Sequence, residues 1–387
     1  PWLPIYHTEE TLQFVNFGAY PDVKAGDYFY ENHLVELDLD GNGSDNRPRT
    51  SGDSNPYAQY VEREHYEYLT KLLGKAYLQY EISDNLIAKS SLGITTGQRK
   101  RTRWDGTKHH ASGNSRAEYY LQNRFTMRLI SDNTLSYNTQ IGDHEISALA
   151  GVTIQKRTAE ISQIVGTGYS NDLLKNLQGA TTIVAEEDYN IEKNKIGYFG
   201  RINYAYKNKY LLNASFRRDA SSVFGVQSKW GNFPAVSVGW NAANEDFLAD
   251  SDLFTTLKFR ASYGLTGSEN FNVGDDLINA WPYLAQLQTS NAVVDGNITA
   301  GVSSKNIANL LLQWEANEEI NPGLDFGLLY NKISGSIDYY ERTSSELLLN
   351  NPISYVTGFN NGIVNLSKVK NSGWELELRT KNIAKPN

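Results

Sequence analysis

Three stretches of the 387-residue sequence combine residue types and spacings that could bind a ligand or an ion. The first is Asp38-Leu39-Asp40-Gly41-Asn42-Gly43-Ser44-Asp45. Oxygen-bearing side chains at Asp38, Asp40 and Asn42, with Gly43 at the sixth position, suit the tight turn around a calcium ion. The twelfth position of such a loop should bring a bidentate Glu, and here it is Arg49. A plain Asp/Gly/Asn turn is therefore the favoured reading. The second stretch runs Gly97-Gln98-Arg99-Lys100-Arg101-Thr102-Arg103-Trp104, followed by Lys108-His109-His110. In a loop, these cations and Trp104 could contact an anionic glycan or phosphate groups, although a solvated charged loop is the commoner outcome. The His109-His110 pair lacks the spaced His and carboxylate pattern of a zinc site. The third is Trp281-Pro282-Tyr283, whose rings could stack on sugars or pack against neighbouring loops.

Other chemistries find no support. Cysteine is absent, which closes disulfide and thiolate-metal readings. No nucleophile elbow, phosphate loop or zinc-protease motif appears, and no carboxylate pair stands in a discriminating context. The expectation is a protein that is not an enzyme and carries no cofactor. A net charge of −8 argues against a nucleic-acid partner.

The elements that must position these residues are strands. No apolar run approaches the roughly 18 residues of a membrane helix. Segments alternating with period two recur instead, over residues 76–82, 86–96, 134–141, 145–155, 195–206, 210–219, 231–241, 257–265, 320–330, 333–342 and 374–380. Along one of them, Ile320, Pro322, Leu324, Phe326, Leu328 and Tyr330 occupy one face. The connections alternate in length. Those near residues 83–85, 142–144, 207–209 and 330–332 are tight, and 242–256 is intermediate. Those over 97–133, 156–194, 220–230, 267–313 and 343–373 are long. In an up-and-down meander this parity gathers all tight turns at one end and all long loops at the other, as in outer-membrane barrels. A Greek-key sandwich has no reason to sort its loops so. Tyr204, Tyr206 and Tyr210 beside a tight turn, Trp230, Phe233 and Trp240 around one strand, and Tyr339 and Tyr340 in another suit interfacial girdles or a soluble hairpin core. The competing reading is a soluble or surface-attached β-sheet module that binds glycans.

From Lys195 onward the wording resembles the SusC/RagA family of TonB-linked outer-membrane transporters. The matching residues include Gly200-Arg201-Ile202-Asn203-Tyr204, then Arg217, Arg218, Asp219, Ser221, Ser222, Phe224 and Gly225. They continue with Trp230-Gly231-Asn232-Phe233-Pro234 and Trp240, Asn321-Pro322-Gly323, and Asn371-Ser372-Gly373-Trp374. Ala220 and Val223 depart from the family's usual Gly and Arg at that loop apex. The resemblance implies an all-β fold: a partial antiparallel up-and-down transmembrane β-barrel with long external loops. This chain would supply about 11 of 22 strands. It further implies that residues 1–387 lack the signal peptide, the plug and the last strands, and that residues 1–75 form an external, loop-rich lead-in. The implied partners are a SusD-like lipoprotein lid, TonB acting on the missing N-terminal part, outer-membrane lipid, and a glycan or peptide ligand.

Overall fold

A computed structural model describes residues 4–35, 55–111, 117–248, 251–270, 278, 280–294 and 296–382. The calcium-loop candidates Asp38, Asp40 and Asn42 lie outside the described residues. One sheet dominates. It is built from β1 (Arg63–Ser83), β2 (Leu86–Asp105), β3 (Glu118–Ile141), β4 (His144–Thr167), β5 (Thr182–Tyr206), β6 (Tyr210–Ser221), β7 (Trp230–Asn241) and β8 (Phe254–Ser268). It continues through β11 (Glu315–Leu328), β12 (Ile333–Ser345) and β15 (Lys368–Thr380). These pair in sequence order as an 11-stranded meander. The two longest late connections carry hairpins of their own, β9 (Leu287–Val294) with β10 (Asn297–Ser304), and β13 (Leu348–Pro352) with β14 (Asn361–Asn365).

The expected parity of connections holds except between β7 and β8, where residues 242–253, expected to be intermediate, make a connection longer than 222–229. Residues 84–85, 142–143, 207–209 and 329–332 are short turns, while 106–117, 168–181, 222–229, 269–314 and 346–367 are longer. The β5–β6 turn holds Lys207 and Asn208 both at φ 52, the paired left-handed geometry that matches the twist of a hairpin. Two expectations need correction. Residues 97–105 and 118–133 are strand rather than loop, and so are 156–167 and 182–194. Arg99, Arg101 and Arg103 recur with period two, and each finds an acid across the sheet. That periodicity belongs to a strand even where every side chain is charged.

Prolines mark where ladders thin. Pro234 lies opposite Phe216 on β6, but the β7–β8 ladder begins only at Ala235↔Gly264. A residue without N–H suits the place where one side of a strand loses its partner. Phe233 fills the space left beyond, its ring against Gly231 and Gly267. A Cβ there would meet Phe233 Cζ at 2.4 and 2.1 Å respectively.

The chain forms two compact units. One comprises Leu73–Ile94, Arg128–Thr158 and Ile191–Asn387, and so holds the tight-turn halves of β1–β5 with all later strands. The other comprises Pro1–Leu72, Thr95–Met127 and Ala159–Asn190. Within it, residues before β1 pack a small core of Val15, Phe29 and Leu34, tied by the bridges Tyr6↔Tyr28 and Val15↔Leu34. The buried Asn55 side chain donates to the carbonyls of Ile5 and Phe29 at 2.8 and 2.9 Å. It also caps the short helix Pro56–Val61. A second core joins Trp104, Ala117 and Tyr169.

Candidate functional site

The polarity of the main sheet is inverted relative to a water-soluble protein. Tyr206, Tyr210, Trp240, Phe259, Leu324, Ile337 and Leu376 stand in one register row across β5, β6, β7, β8, β11, β12 and β15. This row faces outward: Trp240 is 37% exposed, Phe259 44% and Leu376 73%. A neighbouring row through Tyr204, Leu212, Val238, Ala261 and Pro322 continues the apolar surface, with Val238 at 52%. Water-soluble monomers rarely expose contiguous apolar patches of more than a few hundred Å². Lipid removes the cost. Tyr206 stacks on Tyr210 at 6.4 Å and Trp240 on Phe259 at 5.6 Å beside the tight turns.

The opposite face is polar. Asn203, Asn213, Ser237, Ser262 and Asn321 share one row of it, and the Asn213 amide donates to Asn203. A hollow of about 480 Å³ follows this face. In the next row Arg260 lies across Gly323 and binds Asp338 at 2.7 Å and Asp325 at 3.1 Å. Glycine is needed there, since a Cβ would sit 2.8 Å from the guanidinium carbon.

The residues quoted for the family motif have separable jobs. Arg217 pairs with the buried Asp219 at 2.8 Å, and both lie over Gly197. Arg218 faces the other way, over the Trp230 ring at 5.0 Å. Ser221 Oγ accepts the Val223 N–H at 3.2 Å, and Ser222 Oγ accepts the Asn194 N–H at 2.9 Å, which fixes the turn after β6. The turn then drives Val223 and Phe224 into a core with Leu312, Trp314, Leu348 and Ile363. Phe224 is fully buried, with its ring 5.1 Å from that of Trp314. Phe233 meets Trp314 edge-on at 5.5 Å, and Trp314 Nε1 donates to the Lys229 carbonyl at 3.1 Å. Gly225 passes so close to the Leu310 carbonyl that a Cβ would lie 2.8 Å away. Three long connections are thereby packed together. Trp230 and Trp240 stand on the outward face, whereas Phe233 stands on the other, so these rings do not form one girdle. Tyr339 and Tyr340 likewise face opposite ways, Tyr339 toward Trp374 at 5.1 Å and Tyr340 over Gly373.

The sequence-predicted loop candidates are not brought together. Arg99 and Arg101 bind Glu67 at 3.2 and 3.0 Å. Arg103 binds Asp105 at 3.2 Å and Glu118 at 2.5 Å. These arginines are neutralised within the sheet. Trp104 is buried against Tyr169, ring centroids 4.6 Å apart. His109 is 1% exposed, and neither ring nitrogen has a hydrogen-bond partner. An Asp105 carboxylate oxygen lies 3.8 Å from its Nε2. Burial holds its pKa down at about 4, and Asp105 offsets only part of that. Tyr283 packs on the Phe224 core, and Trp281 is half-buried. Among the described residues no group of three or more His, Cys, Asp or Glu could hold a metal ion.

One cluster escaped the sequence reading: a hollow of about 540 Å³ bordered by Tyr6, Tyr20, Tyr28, Glu62 and Lys108. Its residues come from segments far apart in sequence, and no local spacing announces it.

An open meander with an exposed apolar face, a polar opposite face and tight turns gathered mainly at one end is a wall of the outer-membrane β-barrel class. Residues 13–382 match the family described as TonB dependent receptor-like, beta-barrel, and the chain belongs to that family. It is 31% identical over 366 residues to TonB-dependent receptor P3 of Formosa agariphila, covering 94% of this chain and 36% of the relative. It is 35% identical over 199 residues to TonB-dependent receptor SusC of Bacteroides thetaiotaomicron, covering 50% and 19%. The chain spans about a third of the length of the first of these relatives. Among solved structures, the RagAB peptide transporter superposes with a TM-score of 0.73 at 22% identity, over 84% of this chain and 35% of that one. The fold is therefore that of the family's barrel, and the protein resides in the outer membrane. Among the described residues no helix is long and apolar enough to cross a membrane, and strands cross instead.

Proposed function

We propose that the chain is one part of the wall of an outer-membrane importer for oligosaccharides or peptides, energised through TonB and capped by a SusD-like lipoprotein. The observation that carries this reading is the inverted sheet, with its lipid-facing row from Tyr206 to Leu376 and its polar row from Asn203 to Asn321. β1 and β15 each have a single neighbour in the sheet, so closure requires strands beyond them. Residues 1–387 form part of a barrel domain, and the external lead-in expected over residues 1–75 gives way at Arg63 to β1, the first strand of the wall. The side chains serve passage and selection rather than bond-making.

The test uses the full-length receptor. It should fractionate with outer membranes, migrate faster on gels before boiling than after, and support uptake that ceases when TonB is deleted. Recovery from the soluble periplasm would reject the importer in favour of a soluble glycan-binding module.

A further inference from the structure

We propose that the hollow beside Tyr6, at the long-loop end of β1 and β2, is a binding subsite for a neutral sugar unit. This rests on the importer reading and names the ligand class for one of its sites. Three observations carry it.

The first is a platform. The Tyr6 ring stacks on Tyr28 at 5.4 Å, and Tyr57 braces it edge-on at 6.0 Å. Tyr6 remains 41% exposed, so ring surface is left open to a ligand. The C–H face of a pyranose is the natural partner for an electron-rich ring face.

The second is the polar complement. Asp22, Asp27 and Glu62 border the same hollow, and among the described residues Lys108 is its one lysine or arginine, so these carboxylates outnumber the cations there. Glu62 already accepts from the Tyr28 hydroxyl at 2.9 Å, and Asp27 from the Lys24 N–H at 2.9 Å. An ionised carboxylate has about four acceptor sites, so both retain capacity for hydroxyl donors. Uronates and sulfated sugars would meet like charge.

The third is rigidity. The walls are fixed by the Tyr6↔Tyr28 bridge, by His7 N–H to Asp27 carbonyl at 2.7 Å, and by Gly26 N–H to His7 carbonyl at 2.9 Å. These contacts hold the platform and its acceptors in place before a ligand arrives, which lowers the cost of ordering on binding. The volume of about 540 Å³ falls within the roughly 300–1,000 Å³ of small-ligand sites.

The experiment is calorimetric titration of the full-length receptor in detergent. The probes are malto-, cello-, xylo-, manno- and laminarihexaose, with hexagalacturonate and an alanine-rich hexapeptide mixture beside them. At least one neutral hexaose should bind. Tyr6→Ala should weaken it roughly three- to tenfold, Tyr6→Trp should preserve it, and Glu62→Gln should weaken it severalfold. An unchanged affinity in Tyr6→Ala and Glu62→Gln, binding of none of the neutral probes, or Tyr6-dependent binding of the hexagalacturonate or peptides alone would each overturn the proposal. Circular dichroism and heat-modifiability confirm that each variant is folded. Growth on the glycan with and without TonB reads the importer separately, since a barrel can transport without this subsite.

Discussion

His109 and Phe224 illustrate two ways in which a loop side chain can be committed inward. His109 is buried without a hydrogen-bond partner, so its neutral form is the one the fold accepts. Its folded pKa of about 4 lies below the ordinary value of 6.5. The unfolded loop therefore binds the proton more tightly, and this contribution to stability is complete above about pH 6.5 and lost as pH falls toward 4. Histidine-selective NMR should place its titration near pH 4, and His109→Leu should remove the associated loosening around residues 106–111. A titration near 6.5 in the intact receptor would refute the burial. For Phe224, truncation to Ala should destabilise the packed loops by about 3–5 kcal/mol, seen as faster proteolysis within the long connections while the wall stays resistant. Gly267→Val should act similarly, because its side chain would overlap the Phe233 ring.

Strand parity is the property that matters at the scale of elements. On β7, Val238 belongs to the outward row and Ser237 to the polar one. An arginine at Val238 should cost about 2–4 kcal/mol if it lies near the bilayer midplane, whereas the same change at Ser237 should cost far less. Urea unfolding of the full-length receptor in liposomes measures both. Equal costs would mean that the two faces have been mistaken for one another. The strands themselves were legible wherever apolar residues alternate, as in Leu257 to Leu265. They were missed over Gly97 to Asp105, where alternation persists among arginines but hydrophobicity does not mark it. The hairpins β9–β10 and β13–β14 were hidden inside connections, since strands this short, five residues each in β13 and β14, carry too few alternations to show a period even where Leu348 and Ile363 are buried. Motif residues such as Phe224 were legible by resemblance. Their role was not, because Trp314 and Leu348 join that core from distant segments.

At the scale of the whole sheet, β1 and β15 each pair on one side only among the described residues. Expressed alone, residues 1–387 should form aggregates or pair edge to edge, and should not give the heat-modifiable monomer expected of the full-length receptor. Gel mobility before and after boiling decides this, and a discrete monomer from the isolated chain would contradict it. The subsite beside Tyr6 shows the limit of reading at this scale. Tyr6, Tyr28 and Glu62 meet only because the segment before β1 folds back to its start, which no periodicity foretells.

Pairing of each wall strand with its nearest wall neighbours has an evolutionary consequence. The connection between β8 and β11, residues 269–314, interrupts that order without disturbing it, for β8 and β11 still pair from Glu315↔Ser268 to Leu328↔Phe254. The entropy of closing a connection grows only logarithmically, about 0.6 kcal/mol per doubling of length. Segments as long as this one can thus be exchanged between relatives almost free of penalty to the wall. Relatives are left free to rewrite these long connections while inheriting the frame of the wall.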